Sequence, residues 1–416
     1  MINVKYHQIF VAVPVFLFFT LLLVFPKGYN YGSTILLVVS VLFLFYALYK
    51  KISIGKIIKQ NRIIFFAIGF YFLISLCFIL FHGEKIKLID NPLRAFLFLS
   101  VIVFIIYSAA TFDILLHSIP LGSFIAGGVA IYQYYILHLP SAFYEQMKIQ
   151  SGDIAMSLGV FSFVVVLYLY DIKKYKLALL AVVTGLFGVF ASILSFARGG
   201  WIGVPILFLI AIFLYRHLLS KKLLFTILTT LVISLSLLTM NDKFIGRISE
   251  AKQQLDSYYL NGSNDVSSVG ERLDMWKIGY NAFRKRPVSG WGLDELYNYK
   301  EELAQEGIVG KTSILYVHLH NQFIDDLAKK GVLGGFAILG IFIIPLYIFY
   351  KKQKNAQYNK RVRFITTLGI IHIVSTMSYC LTQSFLIHNS GNIFYFFLIG
   401  LFYSFTVNEE KRQISF

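Results

Sequence analysis

Residues 9–25 read IFVAVPVFLFFTLLLVF, an apolar run without a charged side chain. Its length approaches the ~20 residues that a helix needs to cross the hydrocarbon core of a bilayer. Similar runs recur along the chain. Of 416 residues, 57% are hydrophobic and 17% aromatic, against 14% charged, and the mean hydropathy is +0.70. A soluble domain could not cover that much apolar surface, so lipid is this chain's solvent. Twelve spans are expected, at 9–25, 34–49, 63–81, 95–111, 115–136, 154–170, 177–196, 201–215, 223–240, 332–350, 364–386 and 391–407. The runs are continuously apolar rather than alternating, and a segment in lipid must satisfy its own backbone, so each is expected to be helical. Pro26 follows the first run where a signal peptide would show small residues for cleavage, so that run reads as a retained span. Cys77 and Cys380 both fall inside apolar runs, which argues against a disulfide framework or a thiolate metal site.

The formal net charge of +17 has two readings, nucleic acid or membrane topology, and the positions of the charges separate them. With the N-terminus inside, twenty Lys and Arg fall in cytoplasmic segments and six in the short outside ones. That bias places both termini in the cytoplasm and makes the basic excess mainly a topology signal, so no nucleic-acid partner is expected. The chain thus divides into spans one to nine (1–240), one long extracytoplasmic loop (241–331), and spans ten to twelve with a cytoplasmic C-terminus (332–416).

The loop contains SSVGERLDMWKIGYNAFRKRP, residues 267–287. Ser268 and Glu271 have capping-box spacing, and Leu273, Trp276, Tyr280 and Phe283 recur at helical intervals as one apolar face. Pro287 ends the helix and SGWG turns the chain. Such a helix would lie on the outer membrane surface or pack onto the spans as a cap.

Four places could carry chemistry. Arg198, in SFARGG, interrupts two apolar runs. A guanidinium beside Gly199, Gly200 and a helix start suits an anion such as a phosphate, and an interfacial snorkelling arginine has the same pattern. Arg272 lies in the first turn of the loop helix, where a solvated Arg–Glu pair is the alternative. The cluster Arg284, Lys285 and Arg286 ends that helix and reads as a contact with anionic headgroups. His318 and His320 lie on opposite sides of a helix or on one side of an extended segment. Asp325 and Asp326 do not follow them at a metal-ligand spacing. A general base is the functional reading, since imidazole titrates near neutral pH, and a hydrogen-bonded interfacial histidine is the other.

His320-Asn321, nine residues, Gly331, two residues, Gly334 resembles the signature of the O-antigen ligase and polymerase superfamily. SFARGG and GERLDMWKIGYNAFRKRPVSGWG resemble two further stretches of it, and the GERLDMWKIG…VHLHN arrangement looks most like the O-antigen ligases. The specific motifs lie between residues 190 and 335; the N-terminal spans match only in character. The resemblance implies an all-α polytopic fold of about twelve transmembrane helices with one large periplasmic loop, similar to the C-type glycosyltransferases. It implies a bacterial inner-membrane enzyme without metal or cofactor, acting at the periplasmic face. Its donor would be an undecaprenyl-diphosphate-linked glycan and its acceptor a sugar hydroxyl of lipid A core. Arg198 and Arg272 would hold the diphosphate, and His320 would be the catalytic base, supported by His318 and Asn321.

The same residues would serve an O-antigen polymerase, which extends a lipid-linked repeat from the same donor. A lipid-linked glycan transporter is a third reading. It should carry charges at mid-membrane and show related halves, whereas here the spans are nearly charge-free.

Overall fold

The apolar runs are helical in the computed structural model, which describes residues 4–218, 242–262, 267–355 and 359–414. Among the described residues there is no strand. Nine helices there are long and apolar enough to cross a bilayer, and two shorter apolar ones, Gln8–Leu21 and Gly199–Leu214, coincide with the expected first and eighth spans. The expected ninth span, 223–240, lies outside the described residues. The chain is an all-helical, polytopic membrane protein.

Two compact units compose it. The first comprises Met1–Leu76, Lys87–Ala211 and Ala337–Phe416. Its innermost helices are Lys148–Asp171, Lys360–Thr382 and Asn389–Gln413; 94% of the most apolar stretch of the last is buried, against 33% for Asn30–Tyr49. Outer helices leave Leu and Phe to lipid, whereas inner ones must pack on all sides and tolerate small hydroxyl residues. Those hydroxyls return to their own backbone: Ser162 donates to the Leu158 carbonyl, Thr366 to Val362, Ser404 to Gly400 and Thr406 to Phe402. This satisfies a polar group that lipid could not. At one end of this bundle the carboxylates of Asp171 and Glu409 are paired. Asp171 meets Lys360 at 2.8 Å and Arg363 at 3.4 Å; Glu409 meets Arg361 at 3.4 Å and Arg412 at 2.5 Å.

The second unit comprises Cys77–Ile86 and Ile212–Phe336. Its core gathers Met275, Ile278 and Ala282 from the helix Ser268–Lys285, Leu296, Tyr299 and Leu303 from Asp294–Gln305, and Leu319 and Ala328. Residues 82–84 belong here too: the His82 ring is 3.0 Å from the Ser289 carbonyl, and Glu84 accepts from the Leu293 amide.

Two expectations for this unit are corrected. The helix cap is Ser267, whose hydroxyl accepts from the Gly270 amide at 3.1 Å. Glu271 does not close a capping box with Ser268, because its carboxylate is engaged by the Tyr316 hydroxyl at 2.8 Å. The deepest face of the helix is Met275, Ile278 and Ala282 rather than Leu273, Trp276, Tyr280 and Phe283; Tyr280 is 60% exposed. Asp274 interrupts the buried stripe in the sequence. It is tolerated there because Tyr258 donates to one of its oxygens at 2.7 Å and the Gly310 amide to the other at 2.6 Å. Two residues of the basic cluster also meet carboxylates of their own unit. Lys285 pairs with Glu302 at 3.1 Å, and Arg286 pairs with Glu295 while covering the Trp291 ring. Only Arg284 lacks a carboxylate here, resting over Tyr280.

Two sequence-distant segments lock together. The Trp291 amide donates to the Ala328 carbonyl at 3.1 Å, Gly292 to Lys329 at 2.9 Å, and Val332 to Pro287 at 2.7 Å. Contact this close needs glycine. Gly290 and Gly331 both have positive φ, and a Cβ on either would overlap a facing carbonyl, that of Lys329 or Val288. Gly331 also breaks the helix Gln322–Asn355.

Candidate functional site

Residues 316–321 are a non-helical connection between the turn Lys311–Leu315 and the helix that starts at Gln322. Its centre is Leu319, fully buried in the unit's core. Three side chains grip the backbone around it. Lys300 donates to the Tyr316 carbonyl at 2.7 Å, Lys329 to the Val317 carbonyl at 3.3 Å, and the Leu319 amide donates to Asp325 at 3.0 Å. Asp325 in turn pairs with Lys329 at 2.8 Å, and Asp326 with Lys330 at 2.6 Å. These aspartates, weighed in the sequence as metal ligands, are therefore structural anchors.

The chain then turns sharply. His320 sits at φ +49, a left-handed conformation uncommon outside glycine. With Leu319 pointing inward, the two histidines fall on one side, their ring centroids 4.4 Å apart. The Tyr316 ring meets the edge of His320 at 5.2 Å. Tyr316 also reaches back to Glu271, so one tyrosine ties the histidine loop to the helix that carries Arg272. The Glu271 carboxylate raises the Tyr316 pKa, with burial acting in the same sense, and the Arg272 guanidinium works against both. Arg272 thus lies within electrostatic reach of the loop. Tyr316 touches the His320 ring, which in turn meets His318, and bonds the neighbour of Arg272.

Asn321 caps the helix that follows. Its side-chain carbonyl accepts from the amides of Phe323 at 3.1 Å and Ile324 at 3.2 Å. That is the helix-capping role, which fixes where the loop ends and the helix begins.

Lys300 escaped the sequence reading. A lysine followed by two glutamates on a polar helix looks solvated, yet its side chain is 2% exposed. Burial lowers its pKa to about 8; Lys329 pushes the same way and Asp325 opposes. Tyr316 was missed because nothing local marks an aromatic residue as a tether.

Arg198 belongs to the first unit, on the loop after Tyr175–Leu194, and its side chain is exposed. The helix that follows begins at Gly199 rather than Trp201 and runs only to Ile202 before Val204–Leu214 takes over. Four residues bring little of the dipole that the sequence argument relied on. Asp153, fully buried, lies against both glycines: its Oδ1 would be 3.5 Å from a Cβ on Gly199 and 3.0 Å from one on Gly200. Gln383 donates to its other oxygen at 2.6 Å. A lone carboxylate in an otherwise apolar span was a legible sign of such a role.

The fold defines a polytopic membrane protein whose histidine pair sits on a loop tied by Tyr316 to the helix that carries Arg272. Residues 183–339 match the family model described as O-antigen ligase, and this range contains Arg198, Arg272, His318, His320 and Asn321. The chain belongs to the O-antigen ligase superfamily. It is 36% identical to an uncharacterized protein of Haemophilus influenzae over 95% of this chain and 98% of that one. It is 28% identical to the O-antigen ligase of Escherichia coli over 68% of this chain and 66% of that protein.

Proposed function

We propose that this protein is a metal-independent glycosyltransferase that moves O-antigen polysaccharide from undecaprenyl diphosphate to a sugar hydroxyl of lipid A core. The reaction takes place at the periplasmic face of the inner membrane, with both termini cytoplasmic. The observation that carries the reading is the tether of Tyr316 between the Arg272 helix and the His320 loop, inside the range matched by the O-antigen ligase family. A lipid-borne donor requires an enzyme set in the bilayer, and its diphosphate departs as an anion when the acceptor oxygen attacks C1 of the sugar. Arg198 and Arg272 supply fixed bidentate donors that stabilise that developing charge and stay protonated. His320 takes the proton from the attacking hydroxyl, and direct displacement inverts the anomeric centre. The left-handed backbone at His320, braced by Leu319 and the Asn321 cap, holds the imidazole in one place.

The test is glycan transfer by purified protein in detergent, with a lipid-linked glycan and polymer-free lipopolysaccharide. His320→Ala should lower turnover by about 10²–10⁴ while donor binding persists, the range that a positioned general base supplies. Arg198→Lys and Arg272→Lys should rescue poorly, because an ammonium cannot replace a bidentate fork. Near-normal turnover of His320→Ala would remove the assignment. Deletion in cells separates ligase from polymerase: a ligase mutant accumulates long glycan on the polyprenyl carrier above bare core, and a polymerase mutant shows core bearing one repeat.

A further inference from the structure

The first unit contains a cavity of about 280 Å³ that the chemistry above does not use. It lies at the end of the bundle opposite the Asp171 and Glu409 ion pairs, because its wall includes Ser151 near the start of the helix that Asp171 ends. Leu22, Leu23 and Ile154 are apolar parts of its lining, and Glu145, Gln146, Ser390, Lys27 and Tyr29 are polar or amphipathic parts. Glu145 and Lys27 have opposite charges, and among the described residues neither side chain makes an ion pair or a hydrogen bond. Gln146 is held in place, donating to the Leu23 carbonyl at 3.2 Å and accepting from Ser151 at 3.4 Å. The neighbouring segment is braced as well, since Asn91 donates to the Ile387 carbonyl at 2.5 Å.

The position of the cavity relates it to Arg198. Ser151 and Ile154 face the cavity, and Gly152 and Asp153 from the same turn receive the SFARGG loop. A Cβ on Gly152 would overlap the Ser195 hydroxyl, and Asp153 abuts Gly199 and Gly200. Cavity and arginine loop therefore lie against different faces of one helical turn, about 10 Å apart, the thickness of a helix.

A lining of apolar side chains with mixed donors and acceptors matches a sugar ring, which presents C–H faces and hydroxyl edges. The volume suits one such ring; pockets for whole drug-sized ligands run to several hundred Å³. Glu145 and Lys27 offset each other in the lining, so the cavity carries no net positive charge to favour a phosphate over a neutral ring. We infer that this cavity is a saccharide-binding subsite, taking one sugar ring of a lipid-linked glycan near the group held by Arg198. The inference rests on the glycosyltransferase reading above, and its ring comes either from the donor, next to the diphosphate, or from the acceptor core.

Occupancy can be read without turnover. In a Cys77→Ala, Ser390→Cys protein, a small charged methanethiosulfonate reports access to the cavity. Cys380, buried in the bundle, stays unreactive while the protein is folded and serves as the internal control. Glu145→Cys is the second reporter where Ser390→Cys fails that control. The probes are undecaprenyl-diphosphate glycan, polymer-free lipopolysaccharide, and undecaprenyl diphosphate without sugar. At ten times its dissociation constant, an occupying probe slows labelling about tenfold. Protection by the glycan-bearing donor alone assigns the ring to the donor, and protection by the lipopolysaccharide alone assigns it to the acceptor. Protection by sugar-free lipid diphosphate to the same extent overturns the inference in favour of a headgroup site. No protection by any probe, with glycan transfer by the unsubstituted protein intact, overturns it while leaving the proposed function in place. Absence of transfer by the unsubstituted protein together with absence of protection in the Ser390→Cys protein removes the function and the subsite together.

Discussion

Lys300→Met turns the grip on the histidine loop into a measurable titration. The Lys300 ammonium is almost fully buried, donates to the Tyr316 carbonyl at 2.7 Å, and has a pKa lowered from 10.5 to about 8 by burial. The folded state therefore penalises the charged amine, fully so below pH 8. The penalty is relieved as pH rises from about 8 to 10.5, because in that window the unfolded chain binds a proton that the folded chain has released. The difference between the two pKa values corresponds to roughly 3 kcal/mol. Lys300→Met removes this penalty and with it the hydrogen bond that the neutral amine makes, worth about 0.5–1.5 kcal/mol. At pH 7 the variant should therefore be more stable than its parent by about 2 kcal/mol. Near pH 10 most of the penalty is gone, and the two proteins should differ by about 1 kcal/mol or less. Unfolding followed by tryptophan fluorescence in a Trp201→Phe background measures this, since the two remaining tryptophans, Trp276 and Trp291, both report from the second unit. A stability gap that is equal at the two pH values, or a variant that gains on its parent as pH rises, would refute the reasoning.

Three further outcomes follow from the geometry. Gly331→Ala, at φ +60 and against the Val288 carbonyl, should destabilise the second unit by about 3–5 kcal/mol through backbone strain and overpacking; proteolysis near residue 290 should accelerate. Asn321→Ala should cost about 1 kcal/mol as a lost helix cap, and Asn321→Asp should restore most of it. Glycan transfer should be unchanged by EDTA; loss of activity that a divalent cation restores would count against a diphosphate held by guanidinium groups alone.

Much of the site was legible because its chemistry is carried by residue types that lipid makes expensive. Arg198 stood out between two apolar runs, and His318 and His320 stood out ahead of another. Asp153 was equally visible and was passed over, since its partner Gln383 lies 230 residues away. Glu271 misled: its spacing from Ser268 has the form of a local cap, and a tyrosine 45 residues on claimed the carboxylate instead. The apolar face of the loop helix misled for a related reason. Two stripes share that helix, and Asp274 disguises the buried one until Tyr258 and Gly310 are in place.

What the sequence determined by itself was the solvent and its consequences: helices in lipid, their approximate limits, and the charge bias between their ends. Those follow from the transfer of side chains and backbone out of water, which each segment meets alone. Only tertiary structure decided which stripe of a helix is buried, that Lys300 is enclosed and Asp325 an anchor, and that Tyr316 joins the Arg272 helix to the His320 loop. Those outcomes depend on partners tens of residues away or more, and a pairwise contact has no trace in the local pattern of either member.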